Sequence, residues 1–106
     1  MSGHFLGPRA DVQLDEIYEY TATHWGEDQA DRYINLLFRY FSEIAARKVI
    51  WRAVPVEFDV DGYFGRCEHH FVHWRVLDSG DVGFVAILHE RMHQIQHTRE
   101  IFTQPI

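Results

Sequence analysis

Apolar residues recur every three or four positions in the first half of this chain and every second position in much of its later part. That change of period limits the possible folds. A helical stripe and an alternating strand each have one face to bury, and each can bury it against the other. Ala10, Leu14, Ile17, Tyr18 and Thr21 carry the first helical stripe, which Trp25 extends. Gly7-Pro8 ahead of it is a helix-start signal, because proline lacks an N–H at a position where a helix leaves it unpaired anyway. Asp11 suits the positive end of that helix. Trp25-Gly26 breaks the run, and Glu27 and Asp28 open a second helix carrying Ala30, Tyr33, Ile34, Leu37, Phe38, Phe41, Ile44 and Ala45. Its apolar face is wide enough to predict packing on two sides. So short a turn makes the pair an antiparallel hairpin. A short opening strand is predicted at residues 3–7.

Residues 47–62 mix β-branched and aromatic side chains with Pro55 and read as a connection, with one irregular edge strand at residues 56–58. Residues 65–69, 71–77 and 82–88 then read as an antiparallel meander. Asp78-Ser79-Gly80-Asp81 forms its last hairpin turn, with Gly80 supplying a positive φ. In the middle strand Phe71, His73, Arg75 and Leu77 share one face, and Val72, Trp74 and Val76 share the other. The apolar set is expected to face the helices, leaving His73 and Arg75 on an open opposite face. From His89 to Ile101 the chain is polar and helix-compatible, and Pro105 ends it. The expected architecture is α+β. It runs strand, antiparallel helical hairpin and antiparallel β meander, with the helices on one face of the sheet and a short C-terminal helix or tail.

A chain of 106 residues is one domain's worth. Its apolar runs, such as residues 82–88, fall far short of the roughly 18 residues that span a bilayer. The amino end lacks signal-peptide character, so a cytoplasmic protein without membrane contact is expected. A single cysteine, Cys67, excludes an internal disulfide framework and a multi-thiolate zinc site. Sixteen acidic against ten basic residues give a net charge of −6, which argues against direct binding of free nucleic acid. Asp11, Asp15, Glu16, Glu19, Glu27, Asp28 and Asp31 all precede the balancing Arg32. A solvated helix face is the simpler reading, and an acidic surface for a basic partner is the other.

Eight histidines invite a metal reading: His4, His24, His69, His70, His73, His89, His93 and His97. The last three stand four residues apart and would line one helical face, while His69 and His73 would share a strand face. No catalytic His-Glu-x-x-His pattern accompanies them and no further thiolate is present, so neither metal nor cofactor is expected. Cys67, a lone thiol in a strand, reads as a packing residue rather than a nucleophile. Trp51, Tyr63, Phe64 and Trp74 read as core and hairpin contacts rather than a base-stacking platform.

Pro8-Arg9-Ala10, Leu14-Asp15-Glu16-Ile17-Tyr18-Glu19-Tyr20, Trp25-Gly26 and Gln29-Ala30 together resemble the first half of the RelE/ParE superfamily of toxins. The second half agrees through Arg66, His70-Phe71-Val72-His73-Trp74-Arg75 and Ile87-Leu88-His89-Glu90-Arg91-Met92-His93, which is similar to the ending of ParE-type chains. The likeness covers residues 5–93 in the family's order. Gln13 stands where an acidic residue is usual, and Lys48-Val49-Ile50-Trp51-Arg52 replaces the common segment after the second helix. His93 takes the place of a frequent aspartate, and residues 94–106 make a longer tail than many members carry.

The resemblance implies a toxin of a type II toxin–antitoxin system, silenced by a cognate antitoxin in a hetero-oligomer. Two mechanisms divide the superfamily. The RelE-like branch cuts messenger RNA on the ribosome; the ParE-like branch poisons DNA gyrase without being a nuclease. RNA cleavage needs a base, cations for the phosphorane charge and an acid for the leaving oxygen. Here Glu68 is the candidate base, Arg66, Arg75 and Arg91 are candidate phosphate ligands, and His70, His73, His89 or His93 is the candidate acid. The competing reading pairs Arg66 and Arg75 with Glu68, Asp78 or Glu90 across the sheet. Lysine is nearly absent and no tyrosine follows Leu88, so the ParE-like reading leads. On that reading the chain is not an enzyme, and Arg66, Arg75, Arg91, Trp74, Tyr18 and Phe38 are the expected partner contacts.

Overall fold

The computed structural model describes residues 3–55, 61–91 and 101–102. Its elements follow the predicted order: β1 (His4–Leu6), α1 (Pro8–Trp25), α2 (Glu27–Ala45), β2 (Arg52–Ala53), β3 (Tyr63–Cys67), β4 (His70–Val76) and β5 (Val82–His89). The strands form one five-stranded sheet in the order β1-β5-β4-β3-β2. β1 runs parallel to β5 and the other pairs are antiparallel, so the sheet is mixed.

Local sequence accounts for the helical hairpin. Gly7 caps α1 in an extended conformation with Pro8 in the first turn, and Gly7 O accepts the N–H of Asp11 at 3.0 Å. Ala10 and Leu14 of α1 join Leu37, Phe41, Ile44 and Ala45 of α2 over Val72, Trp74, Phe84 and Ile87 of the sheet. The two helices therefore cover one face, as the pattern predicts. Gln13 adds a polar tie: its Oε1 accepts the N–H of Ile87 at 2.7 Å, beyond the stretch of β5 that β1 pairs. The turn before β5 forms as expected, with Gly80 at φ +89°.

Four expectations need correction. The meander strands lie slightly earlier than their pattern suggests, because Glu68 and His69 form a two-residue turn between paired Cys67 and His70. Glu68 takes φ +53° there, and His69 consequently does not share a strand face with His73. Next, β5 is not a simple alternating strand. His73 pairs with Ala86 and Trp74 with Phe84, so Val85 is an extra, bulged residue. Val85 and Ala86 both join a cluster separate from the helix-side core, and β5 is buried on both faces.

That second cluster also shows that the rear face is not open. Val54, Val85, Ala86, Ile101 and Phe102 pack together there, with Phe64 and Leu88 against them. Finally, His89 is the last residue of β5 rather than the start of a helix. His93 and His97, like the edge strand expected at residues 56–58, lie outside the described residues. Ile101 and Phe102 have helical backbone. Among the described residues no helix is long and apolar enough to cross a membrane.

Candidate functional site

One end of the sheet gathers polar side chains from elements far apart in sequence. The β3–β4 turn, the end of β5 and the second turn of α2 meet there. Arg66 forms an ion pair with Glu90, and its Nε donates to the carbonyl of Glu68 at 2.9 Å. His69 Nδ1 stands 3.7 Å from Glu90 Oε1. Arg66 is therefore matched by a carboxylate, as the cross-sheet pairing reading held, although its partner is Glu90 alone of the three acids considered.

Behind this pair lies a tyrosine that sequence reasoning counted only as an apolar helix position. The Tyr33 hydroxyl accepts the His69 N–H at 3.3 Å and meets His70 Nδ1 at 2.6 Å. With the phenol donating, His70 carries its own proton on Nε2. His70 pairs across the ladder with His89, their rings perpendicular at 5.3 Å, and His69 lies nearly parallel to His89 at 6.5 Å. His89 Nδ1 accepts the N–H of Arg91 at 3.2 Å. The only sequence signal for Tyr33 is a polar tip within an apolar stripe, which three-residue spacing treats as core.

Burial fixes the charge states of this cluster. It pushes the Tyr33 phenol up to about 12 and the Cys67 thiol up to about 11. It also drives His70 down to about 4, assisted by neighbouring His89 and His69. All three groups are uncharged at pH 7. A phenol and thiol moved away from neutrality are poor proton-transfer groups or nucleophiles. The groups that this end of the sheet leaves exposed are Arg66, Arg91 and the Glu68–His69 turn.

The remaining predicted residues lie elsewhere. His73 is 1% exposed on the rear face, against Phe64 and Phe102. Arg75 donates to the Phe102 carbonyl and lies 5.8 Å from that ring's centroid, so it belongs to a closed face rather than an open cationic one. Trp74 is fully buried among Trp51, Tyr63 and Phe84 and cannot touch a partner. Glu68, Arg66, His70, His89 and Arg91 gather at the sheet end, but His73 and Arg75 do not join them, so the described residues offered for RNA cleavage are divided between two places. Tyr18 is half-buried between the helices and donates to Asp31 Oδ1 at 2.8 Å. Phe38 is 45% exposed and available for contact. Among the described residues no group of three or more histidine, cysteine or acidic side chains is arranged to hold a metal.

Residues 5–94 match the family model described as the ParE toxin of the type II toxin–antitoxin system parDE. The chain is 31% identical over 93 residues to Toxin ParE1 of Mycobacterium tuberculosis, covering 86% of this chain and 92% of that protein. It is 34% identical over 92 residues to Toxin ParE of Escherichia coli, covering 87% and 88% respectively. A solved structure of the chromosomal ParDE system from P. aeruginosa superposes with a TM-score of 0.69 at 16% identity, covering 84% of this chain and 96% of that one. At that identity the likeness bears on the fold.

Proposed function

The chain belongs to the ParE toxin family of type II toxin–antitoxin systems, and from that membership we propose that it arrests growth by inhibiting DNA gyrase and is held silent by a cognate antitoxin. The observation that carries this reading is the extent of the family match, which runs through every β-strand and helix from β1 to β5. The sheet end supports action by binding. Its ion pair and its neutral Tyr33–His70 pair supply contacts but no poised base or nucleophile. The antitoxin takes Arg66 and Arg91 with acidic side chains, one of which displaces Glu90 from Arg66, and covers Phe38 and Tyr18 on the hairpin. A disordered segment that orders on contact suits so spread a surface.

The test is plasmid supercoiling by purified gyrase. Titrating the toxin should abolish supercoiling, and adding the antitoxin should restore it. Full supercoiling at toxin levels that stop growth would overturn gyrase as the target. Mapping of new RNA 5′ ends after pulse expression reads the other branch, since codon-positioned cuts would mark a ribosome-dependent endonuclease.

A further inference from the structure

Helix α1 buries only Ala10 and Leu14 fully, yet it leaves three large apolar side chains in solvent: Val12 at 55%, Tyr20 at 62% and Trp25 at 73% exposure. Val12, Glu16 and Tyr20 stand four residues apart and form one line along the outer face, roughly 12 Å long at the α-helical rise. Glu19 lies beside that line, and Trp25 stands at the hairpin tip. The Tyr20 ring is already ordered. It stacks on His24 at 4.0 Å, and His24 Nδ1 bonds the Tyr20 carbonyl at 2.8 Å. An aromatic anchor fixed before binding loses little conformational entropy on docking.

Charge selects the occupant. Asp11, Asp15, Glu16 and Glu19 lie along α1, Glu27 and Asp28 open α2 just past the hairpin tip, and Asp31 follows them. None of these has an ion-pair partner among the described residues, although Asp31 accepts from the Tyr18 hydroxyl. The first base after them, Arg32, is bonded to Gln29. Like charges crowded on a helix repel one another, and a cationic partner relieves that repulsion. Lysine and arginine also pack over aromatic faces. The sheet end differs, because its Arg66 and Arg91 stand beside Glu68 and Glu90.

We propose that the acidic, aromatic outer face of α1 and the hairpin tip dock onto a cationic, DNA-handling surface of the target enzyme, while the antitoxin takes the sheet end together with Phe38 and Tyr18, which lie off that outer face. The proposal rests on the reading of gyrase as target, because a protein that holds DNA must present lysine and arginine to its phosphates. Two faces thus serve two partners. Toxin and target meet through contacts that salt weakens.

Glu16→Lys with Glu19→Lys, and separately Tyr20→Ala, test this on exposed positions. Half-inhibition of gyrase supercoiling is measured at low and raised salt, alongside antitoxin affinity by calorimetry. Each variant should need about tenfold more protein to inhibit. Raised salt should weaken the wild type more than the charge-reversed variant, with antitoxin affinity unchanged. A wild type that inhibits and variants that inhibit equally would leave gyrase as target but overturn this surface. Loss of antitoxin affinity in parallel would overturn the division between faces. A wild type that leaves gyrase untouched would remove the target reading and this assignment with it.

Discussion

Glu68 occupies φ +53° in a two-residue hairpin turn, a conformation that costs an L-residue with a Cβ about 1–2 kcal/mol and glycine almost nothing. Its backbone carbonyl holds Arg66 Nε, a contact that does not depend on the side chain. Glu68→Gly should therefore stabilise the fold by about 0.5–1 kcal/mol, read as a higher urea midpoint. Gly65 poses the reverse problem. A Cβ there would stand 2.2 Å from the Tyr40 hydroxyl and 3.1 Å from Trp74. Gly65→Ala should cost about 1–3 kcal/mol. Adding Tyr40→Phe should recover part of that, because the closest clash is with the hydroxyl alone. His70 sets a pH dependence. Its folded pKa of about 4 lies below the usual 6.5, so the unfolded chain takes up the proton first as pH falls. Its contribution is full above pH 6.5 and is lost between 6.5 and 4, on the order of 1–2 kcal/mol for a ring that still meets water. Comparing denaturation of the wild type and His70→Gln at pH 7 and 4.5 isolates the effect; equal slopes would assign it to other groups.

At the scale of elements, the end of α2 shows how a helix stops without glycine. Lys48 N–H bonds Glu43 O at 2.9 Å and Arg47 N–H bonds Ile44 O at 3.0 Å, with Arg47 at φ +60° in the position where glycine is usual. Trp51 secures this turn. Its Nε1 donates to Ile44 O at 3.1 Å, and the Arg47 guanidinium lies 4.0 Å over its ring. Trp51→Phe keeps much of the apolar contact but removes the donor and weakens the cation–π contact. A loss of about 1–2 kcal/mol is expected, visible as a lower Tm. Helix and strand existence was legible here because each is a local property. The 3.6 period of residues 30–45 and the turn around Gly80 depend only on near neighbours. β5 was legible as a strand but not as a bulged one. Val85 and Ala86 sit in an uninterrupted apolar run, which looks the same whether one residue is extra or none.

At the scale of the whole molecule, Phe102 closes the rear of the sheet. Its ring lies where a Cβ on Gly62 would fall, 2.3 Å away, and its carbonyl accepts from Arg75. Phe102→Ala should therefore cost about 3 kcal/mol and speed amide hydrogen exchange in β4 and β5, checked by thermal melts and exchange mass spectrometry. The candidate site divides along the same line. Arg66, Glu68, His89 and Arg91 could be singled out by residue type, but Tyr33 reaches His70 only through packing of α2 on the sheet. His73 and Arg75 were misplaced because strand alternation tells which residues share a face and not what covers it, whereas Trp74 faces the helices as its alternation implies and for that reason cannot serve as a partner contact. By itself the sequence determined the order of elements, the helical hairpin on one face and the ParE kinship, since periodicity, capping and motif order are written between near neighbours. Only the tertiary structure decided which cations remain in solvent and which histidine is held neutral, because Arg75 is covered by a residue 27 positions away and His70 by one 37 positions away.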